Sequence, residues 1–138
     1  MTAPDGTILA LDVGSKRIGL ALASYAARIA SPYKTIINDE EIWQNLRDIS
    51  ESEAVTQLVV GLPRGLDGQS TAQTQYAQDF ATKLAAEVDL PVSLIDEAVT
   101  SRQAEAELVS RGRNFSKGDI DALAAVYMLE DYMSEMGI

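Results

Sequence analysis

The chain contains no cysteine and no histidine. Without cysteine there are no disulfides and no thiolate metal sites. Without histidine there are no imidazole zinc sites, no Ser-His-Asp triad and no imidazole acid–base catalysis. Any metal must therefore be held by oxygen ligands, which points to Mg²⁺ or Mn²⁺ rather than zinc. Cations are scarce: 11 Lys and Arg stand against 21 Asp and Glu, a net charge of −10. That balance argues against general electrostatic binding to nucleic acid. No apolar run reaches membrane-spanning length, and Met1-Thr2-Ala3-Pro4-Asp5-Gly6 does not read as a signal peptide. We expect a soluble, cytoplasmic protein with no membrane partner, in accord with the missing cysteines. Its 138 residues, 46% of them hydrophobic, fit one domain (1–138) around one core.

Against this background one aspartate stands out. Ile8-Leu9-Ala10-Leu11-Asp12-Val13-Gly14 reads as a buried strand, yet Asp12 interrupts it. A lone buried carboxylate is costly unless it is paired, hydrogen-bonded or bound to a metal. The turn Gly14-Ser15-Lys16-Arg17 follows, then a second apolar run, Ile18–Ala23. The pattern predicts a hairpin that presents an acid beside a glycine turn carrying two cations. Folding alone does not ask for a charge there, whereas chemistry on phosphates does.

Farther along, the elements alternate. Strands are predicted at 7–13, 17–24 and 28–36, then a helix at 39–52 with Ile42, Leu46 and Ile49 at helical spacing. Gln57–Gly61 reads as a buried parallel strand, followed by a glycine-rich loop, 62–68. A helix is expected over 70–87, with Ser70 as its cap and Tyr76, Phe80 and Leu84 on one stripe. Pro91–Ile95 reads as a strand ending at Asp96-Glu97. A helix from Thr100 or Ser101 to about 111, a break over 111–118 and a final helix over 119–135 complete the chain. This order indicates an α/β fold with a mixed sheet.

Three acidic positions then line up: Asp12 ends the first strand, Asp96-Glu97 ends the last, and Asp121 falls in the first turn of the final helix. Ligands gather at the carboxyl ends of parallel strands, and carboxylates from separate elements can share divalent ions that assist phosphodiester cleavage. Ala122, Ala124 and Ala125 would let the final helix lie close on the sheet. The cations Lys16, Arg17, Arg64, Arg111, Arg113 and Lys117 fall in turns and loops. Converging, they would form a nucleic-acid-binding rim on an acidic molecule.

Four segments in order carry a family resemblance: Leu11-Asp12-Val13-Gly14-Ser15-Lys16-Arg17-Ile18-Gly19; Val60-Gly61-Leu62-Pro63 with Leu66-Asp67-Gly68; Asp96-Glu97 with Thr100-Ser101 and Ala104; and Ile120-Asp121-Ala122 with Ala124-Ala125. In these the chain resembles the YqgF family, RuvC-like members of the ribonuclease H fold described as pre-16S rRNA nucleases or Holliday-junction resolvase homologues. The resemblance spans about residues 8–132. It implies a five-stranded mixed sheet flanked by helices, with the first three strands antiparallel. It also implies a divalent-metal site, Mg²⁺ or Mn²⁺, at Asp12, Glu97 and Asp121, which would be the catalytic residues. The implied activity is metal-dependent phosphodiester hydrolysis in ribosome biogenesis, maturing the 5′ end of pre-16S rRNA, ahead of cleavage of branched DNA. The implied partners are nucleic acid and ribosomal precursor particles, met as a monomer or weak homodimer. Family members usually carry arginine after the Asp-Glu pair; here the residue is Ala98, with Arg102 one helical turn on.

Each position also has a plainer reading. Asp12 could cap amides in the Gly14 turn, and Asp96 and Glu97 could be ordinary strand-end acids. Asp121 could serve the helix dipole, worth about 0.3–1 kcal/mol in a first turn. The cations could be solvated turn residues. Two other functions fit parts of the pattern. Asp12–Lys16 is similar to the first phosphate loop of the actin, Hsp70 and sugar-kinase superfamily, whose members enclose ATP between two such domains. A ribosome-assembly factor that binds RNA without cutting it would fit the acidic charge and Ala98.

Overall fold

A computed structural model describes residues 5–65, 67–97, 106, 109–110 and 117–138, with the side chains of 97 and 117 left out. Five strands form one sheet: β1 (Thr7–Val13), β2 (Arg17–Ser24), β3 (Ser31–Ile37), β4 (Val55–Pro63) and β5 (Val92–Glu97). The helices are α1 (Ile42–Ser52), α2 (Ala72–Val88) and α3 (Lys117–Met136). The strand order is β3-β2-β1-β4-β5. β1, β2 and β3 pair antiparallel, and β4 and β5 run parallel to β1. The expected α/β architecture is thus the observed one. The helix expected over 100–111 and the break after it lie largely outside the described residues; 106, 109 and 110 are helical.

Side-chain alternation along the strands divides the molecule into two faces. Leu9, Leu11 and Val13 of β1, Ile18 and Leu20 of β2, and Leu58, Val60 and Leu62 of β4 pack against Ile42, Leu46 and Ile49 of α1 and Ala77, Phe80 and Leu84 of α2. Trp43 and Phe80 stack with ring centroids 4.9 Å apart. Each large aliphatic buried here contributes about 1.5–3 kcal/mol. The opposite face carries Ile8, Ala10, Ala21, Ala23, Val59 and Ile95, covered by Ala125, Met128, Leu129 and Tyr132 of α3.

Element ends differ from the sequence reading where side chains redirect the backbone. β3 starts at Ser31 rather than 28, because the Ser24 hydroxyl accepts from the Ala27 N–H and Arg28 turns to φ +58°. α1 starts at Ile42 rather than 39: the Asp39 carboxylate accepts from the Glu41 N–H, spending three residues in a turn. Ser70 does not cap α2. Thr71 does, in a capping box with Thr74, and the Thr74 hydroxyl also donates to the Pro63 carbonyl, tying the start of α2 to the end of β4. The buried stripe of α2 accordingly runs Thr74, Ala77, Phe80, Ala81, Leu84 and leaves Tyr76 exposed. α3 begins at Lys117, so Asp121 lies in its second turn and Asp119 in its first.

Candidate functional site

The carboxyl ends of β1 and β4, the β1–β2 turn and the start of α2 enclose an open cleft of about 400 Å³. Asp12, Lys16, Arg17, Gln73 and Asp121 line it. The tight β1–β2 turn forms because the Gly14 N–H donates to the Arg17 carbonyl at 2.9 Å. A Cβ at Gly14 would stand 2.8 Å from that oxygen, so glycine is the residue that fits. Asn38, at the end of β3, secures the turn from outside. Its amide donates to the Gly14 carbonyl at 2.8 Å and to the Tyr76 hydroxyl at 3.0 Å, and its backbone N–H donates to the Lys16 carbonyl at 2.9 Å.

Asp12 stands opposite Gly19 in the hairpin register. That pairing decides the site, because a Cβ on Gly19 would collide with the Asp121 backbone carbonyl. The missing side chain lets the second turn of α3 rest on β2 beside Asp12. Ala122, Ala124 and Ala125 are all buried there. Burial pushes the Asp12 carboxyl up from 3.8 to about 7, and the negative charge of Asp121 pushes it the same way. The Asp12 carboxylate opens into the cleft yet is enclosed enough by protein to be poorly hydrated. Asp121 is answered on its other side: Arg17 Nε donates to its Oδ2 at 2.8 Å.

Of the positions singled out in the sequence, the cleft gathers Asp12, Asp121, Lys16 and Arg17. Glu97 closes β5 with its backbone in register with Pro63, a cleft residue; its side chain lies outside the description. Among the described residues no group of three acids converges on one point. Arg64 faces another partner: its Nε and Nη2 donate to Asp96 Oδ1 at 3.1 and 2.9 Å, and Nη1 donates to the Ser70 hydroxyl at 2.6 Å. Asp96 is thus an exposed ion-pair partner outside the cleft lining. Arg111 and Arg113, with Ala98 and Arg102, fall outside the described residues, as does the Lys117 side chain. Two contributors carried no signal of their own in the sequence: Asn38, which anchors the turn, and Gln73, which lines the cleft; Gly19 stands in the first family segment, but its part as the seat of α3 is not evident there. The hairpin register opposite Asp12 is the clue that finds Gly19.

The family model described as "RuvX: Holliday junction resolvase" matches residues 6–135. The chain belongs to this family. It is the YqgF group that the four sequence segments resemble. Among curated proteins, one from Sulfurihydrogenibium sp. is 33% identical over 94% of this chain and 90% of its own length. A second, from Chloroflexus aurantiacus, is 40% identical over 94% and 87%. A third, from Maridesulfovibrio salexigens, is 37% identical over 92% and 97%. All three bear the name "Putative pre-16S rRNA nuclease". Among solved structures, Thermus thermophilus RuvC superposes with a TM-score of 0.55 at 16% identity, covering 95% of this chain and 96% of that one. The same protein in complex with a Holliday junction substrate gives 0.54 at 17% identity. At these identities the likeness is one of fold, the ribonuclease H-like fold expected for this RuvX-family chain.

Proposed function

We propose that this RuvX-family chain hydrolyses phosphodiester bonds in RNA, with Asp12, Asp121 and Glu97 as catalytic carboxylates holding Mg²⁺ or Mn²⁺. The observation that carries the reading is the Asp12 carboxyl, pushed up to about 7 by burial and by Asp121 in a cleft that also holds Lys16 and Arg17. A structural carboxylate would have its charge answered by hydrogen bonds or a cation. Among the described residues no hydrogen bond or ion pair reaches the Asp12 side chain, whereas Asp121 has its arginine. A divalent cation fits that deficit: hard oxygen donors, excess negative charge and room for water and phosphate oxygens. When bound, such an ion supplies an activated water and stabilises the leaving oxygen.

The chain's own residues supply the rest. Asp12 is held on the strand end by the β1–β2 register, and Asp121 is held against β2 by Gly19. Lys16 and Arg17 face phosphate oxygens from the turn, the segment carrying Arg111, Arg113 and Lys117 serves neighbouring phosphates, and Arg64 joins them by exchanging its bonds to Asp96 and Ser70. The curated relatives' name supports pre-16S rRNA as the substrate; the cut at its 5′ end, within ribosomal precursor particles in the cytoplasm, is part of the proposal. The family description supports branched DNA as the second reading. The test is cleavage of structured RNA and of four-way DNA junctions by the purified chain, with Mn²⁺, with EDTA and with Asp12→Asn. Metal-dependent cutting lost in Asp12→Asn supports a nuclease, and the substrate cut assigns its class. Binding without cutting, indifferent to EDTA and to the substitution, overturns it in favour of an RNA-binding assembly factor.

A further inference from the structure

Arg17 and Lys16 sit side by side on one turn, yet only Arg17 is tied to an acid of the cleft. Its Nε reaches Asp121 Oδ2 at 2.8 Å, and no second bond joins the pair. The backbone beneath is rigid: the Arg17 carbonyl closes the Gly14 turn, and Arg17 starts β2 in register with Ile37 of β3. The side chain above it is 37% exposed and that of Asp121 20%. One charge-assisted bond between partly hydrated groups is exchangeable. Asp121 cannot follow the guanidinium if it leaves, because the helix turn that carries it is pressed on Gly19. Beyond Asp121 lies Asp12, whose carboxyl feels its negative charge.

We propose that Arg17 is the protein's own counter-ion at Asp121: it occupies the carboxylate in the cation-free protein, and a divalent cation must displace it to bind. The inference rests on reading Asp12 and Asp121 as a cation site and adds how that site is regulated. Arg17 leaves Asp121 Oδ1 unbonded, but a guanidinium and a divalent ion held on the two oxygens of one carboxylate repel one another, so the ion binds well only once the guanidinium has moved away. Displacement therefore costs part of the affinity for the ion, and the site fills only at higher ion concentration than the carboxylates alone would need. The freed guanidinium stays tethered at the cleft, with its planar donor fork available to a phosphate.

The test is titration of Mn²⁺ into EDTA-stripped full chain by calorimetry, comparing wild type with Arg17→Gln, Lys16→Gln, Asp121→Asn and the double variant Arg17→Gln/Asp121→Asn. Arg17→Gln should tighten Mn²⁺ binding about fivefold, equivalent to about 1 kcal/mol. Lys16→Gln removes the same charge from the same turn and should change it less than about twofold. In the Asp121→Asn background Arg17→Gln should have no effect. Thermal unfolding gives a readout apart from affinity: Arg17→Gln should melt below wild type in EDTA and draw level or rise above it in saturating Mn²⁺. Should Arg17→Gln fail to fold, Arg17→Lys, with a point charge and no Nε, should show the same tightening at smaller size. Equal tightening by Lys16→Gln would reduce the effect to general charge and overturn the proposal while leaving the cation site standing. Weaker binding in the Arg17 variants would do the same, because Arg17 would then be positioning Asp121 for the ion. No Mn²⁺ binding in wild type or any Arg17 variant would remove the cation site and this proposal together.

Discussion

One strand, β1, shows two faces that were built for different ends. Toward α1 and α2 it presents Leu9, Leu11 and Val13; toward α3 it presents Ile8, then Ala10, then Asp12. The first series stays large and apolar, while the second shrinks and ends in a charge. β2 repeats the contrast, with Ile18 and Leu20 on one side and Gly19, Ala21 and Ala23 on the other. The large-residue face maximises buried apolar area, which is what stability needs. The small-residue face gives up part of that area so that a helix can approach and set Asp121 beside Asp12. Close approach of two acids is unfavourable in itself, and a fold selected for stability alone would avoid it. The difference teaches that here the site is a property of one sheet face, and that stability is drawn mainly from the other.

The sharpest break of this comparison uses neighbouring residues. Leu11→Ala should cost about 2–5 kcal/mol through the lost area and the cavity left behind. Asp12→Asn, on the opposite face, should stabilise the metal-free protein at pH 8 by on the order of 3 kcal/mol, because it removes a poorly hydrated charge. Urea unfolding in EDTA checks both signs. If Asp12→Asn unfolds the protein instead, the acid is a structural device.

The same pair of proteins gives a pH dependence. Folded Asp12 keeps its proton to about pH 7, against an ordinary value of 3.8. The folded state therefore binds more protons across that window than the unfolded one. Its stabilising effect is fully present below about pH 4 and is lost as pH rises through about 7. The stability gap between Asp12→Asn and wild type should thus be near zero at pH 4, open through pH 5–7 and level off above. A gap constant with pH would mean that the carboxyl is not desolvated.

Smaller effects sharpen the contrast on the α3 face. Gly19→Ala should cost about 1–3 kcal/mol by overpacking and should abolish cleavage, because it lifts the Asp121 backbone from β2. Gly61→Ala should cost less and spare activity, since its new methyl meets the flexible Met128 side chain rather than backbone. Thermal melts with a cleavage assay separate the two. Smallest is the cap on the other face: Thr71→Ala should cost about 1 kcal/mol and leave cleavage of the wild-type substrate within about twofold, read by urea unfolding and initial rates.

Much of the fold was legible because period-2 and period-3.6 patterns are local. β1 and β2 were read to the residue: apolar runs bounded by Gly14 and by the Ser24 turn leave no other register. Boundaries slipped where one polar side chain captured a nearby amide, as at Asp39, Ser24 and Thr71, which is a contest of single hydrogen bonds that periodicity does not weigh. A helix over 119–135 puts Asp121 in its first turn; α3 in fact begins two residues earlier, and a charge in the second turn gains little from the helix dipole. The Arg64 pairing with Asp96 and Ser70 has no local signature either, because its partners stand 32 and 6 residues away.

By itself the sequence determined the kind of chemistry on offer. With no histidine or cysteine, an acid at a strand end, a glycine turn with two cations and an alanine-rich final helix, the side chains allow oxygen-ligand and phosphate chemistry and little else. It also determined which face of each strand is apolar, because alternation is written residue by residue. Only the tertiary structure decided which charges meet. Arg17 pairs with Asp121 rather than with Asp12, which is closer in sequence, because α3 lands on Gly19 and brings its second turn over β2. Arg64 pairs with Asp96 because β4 and β5 end side by side. Coulomb forces fall off with distance through space and take no account of separation along the chain, so the partners of a charge follow from packing, and the packing here turns on one missing side chain at position 19.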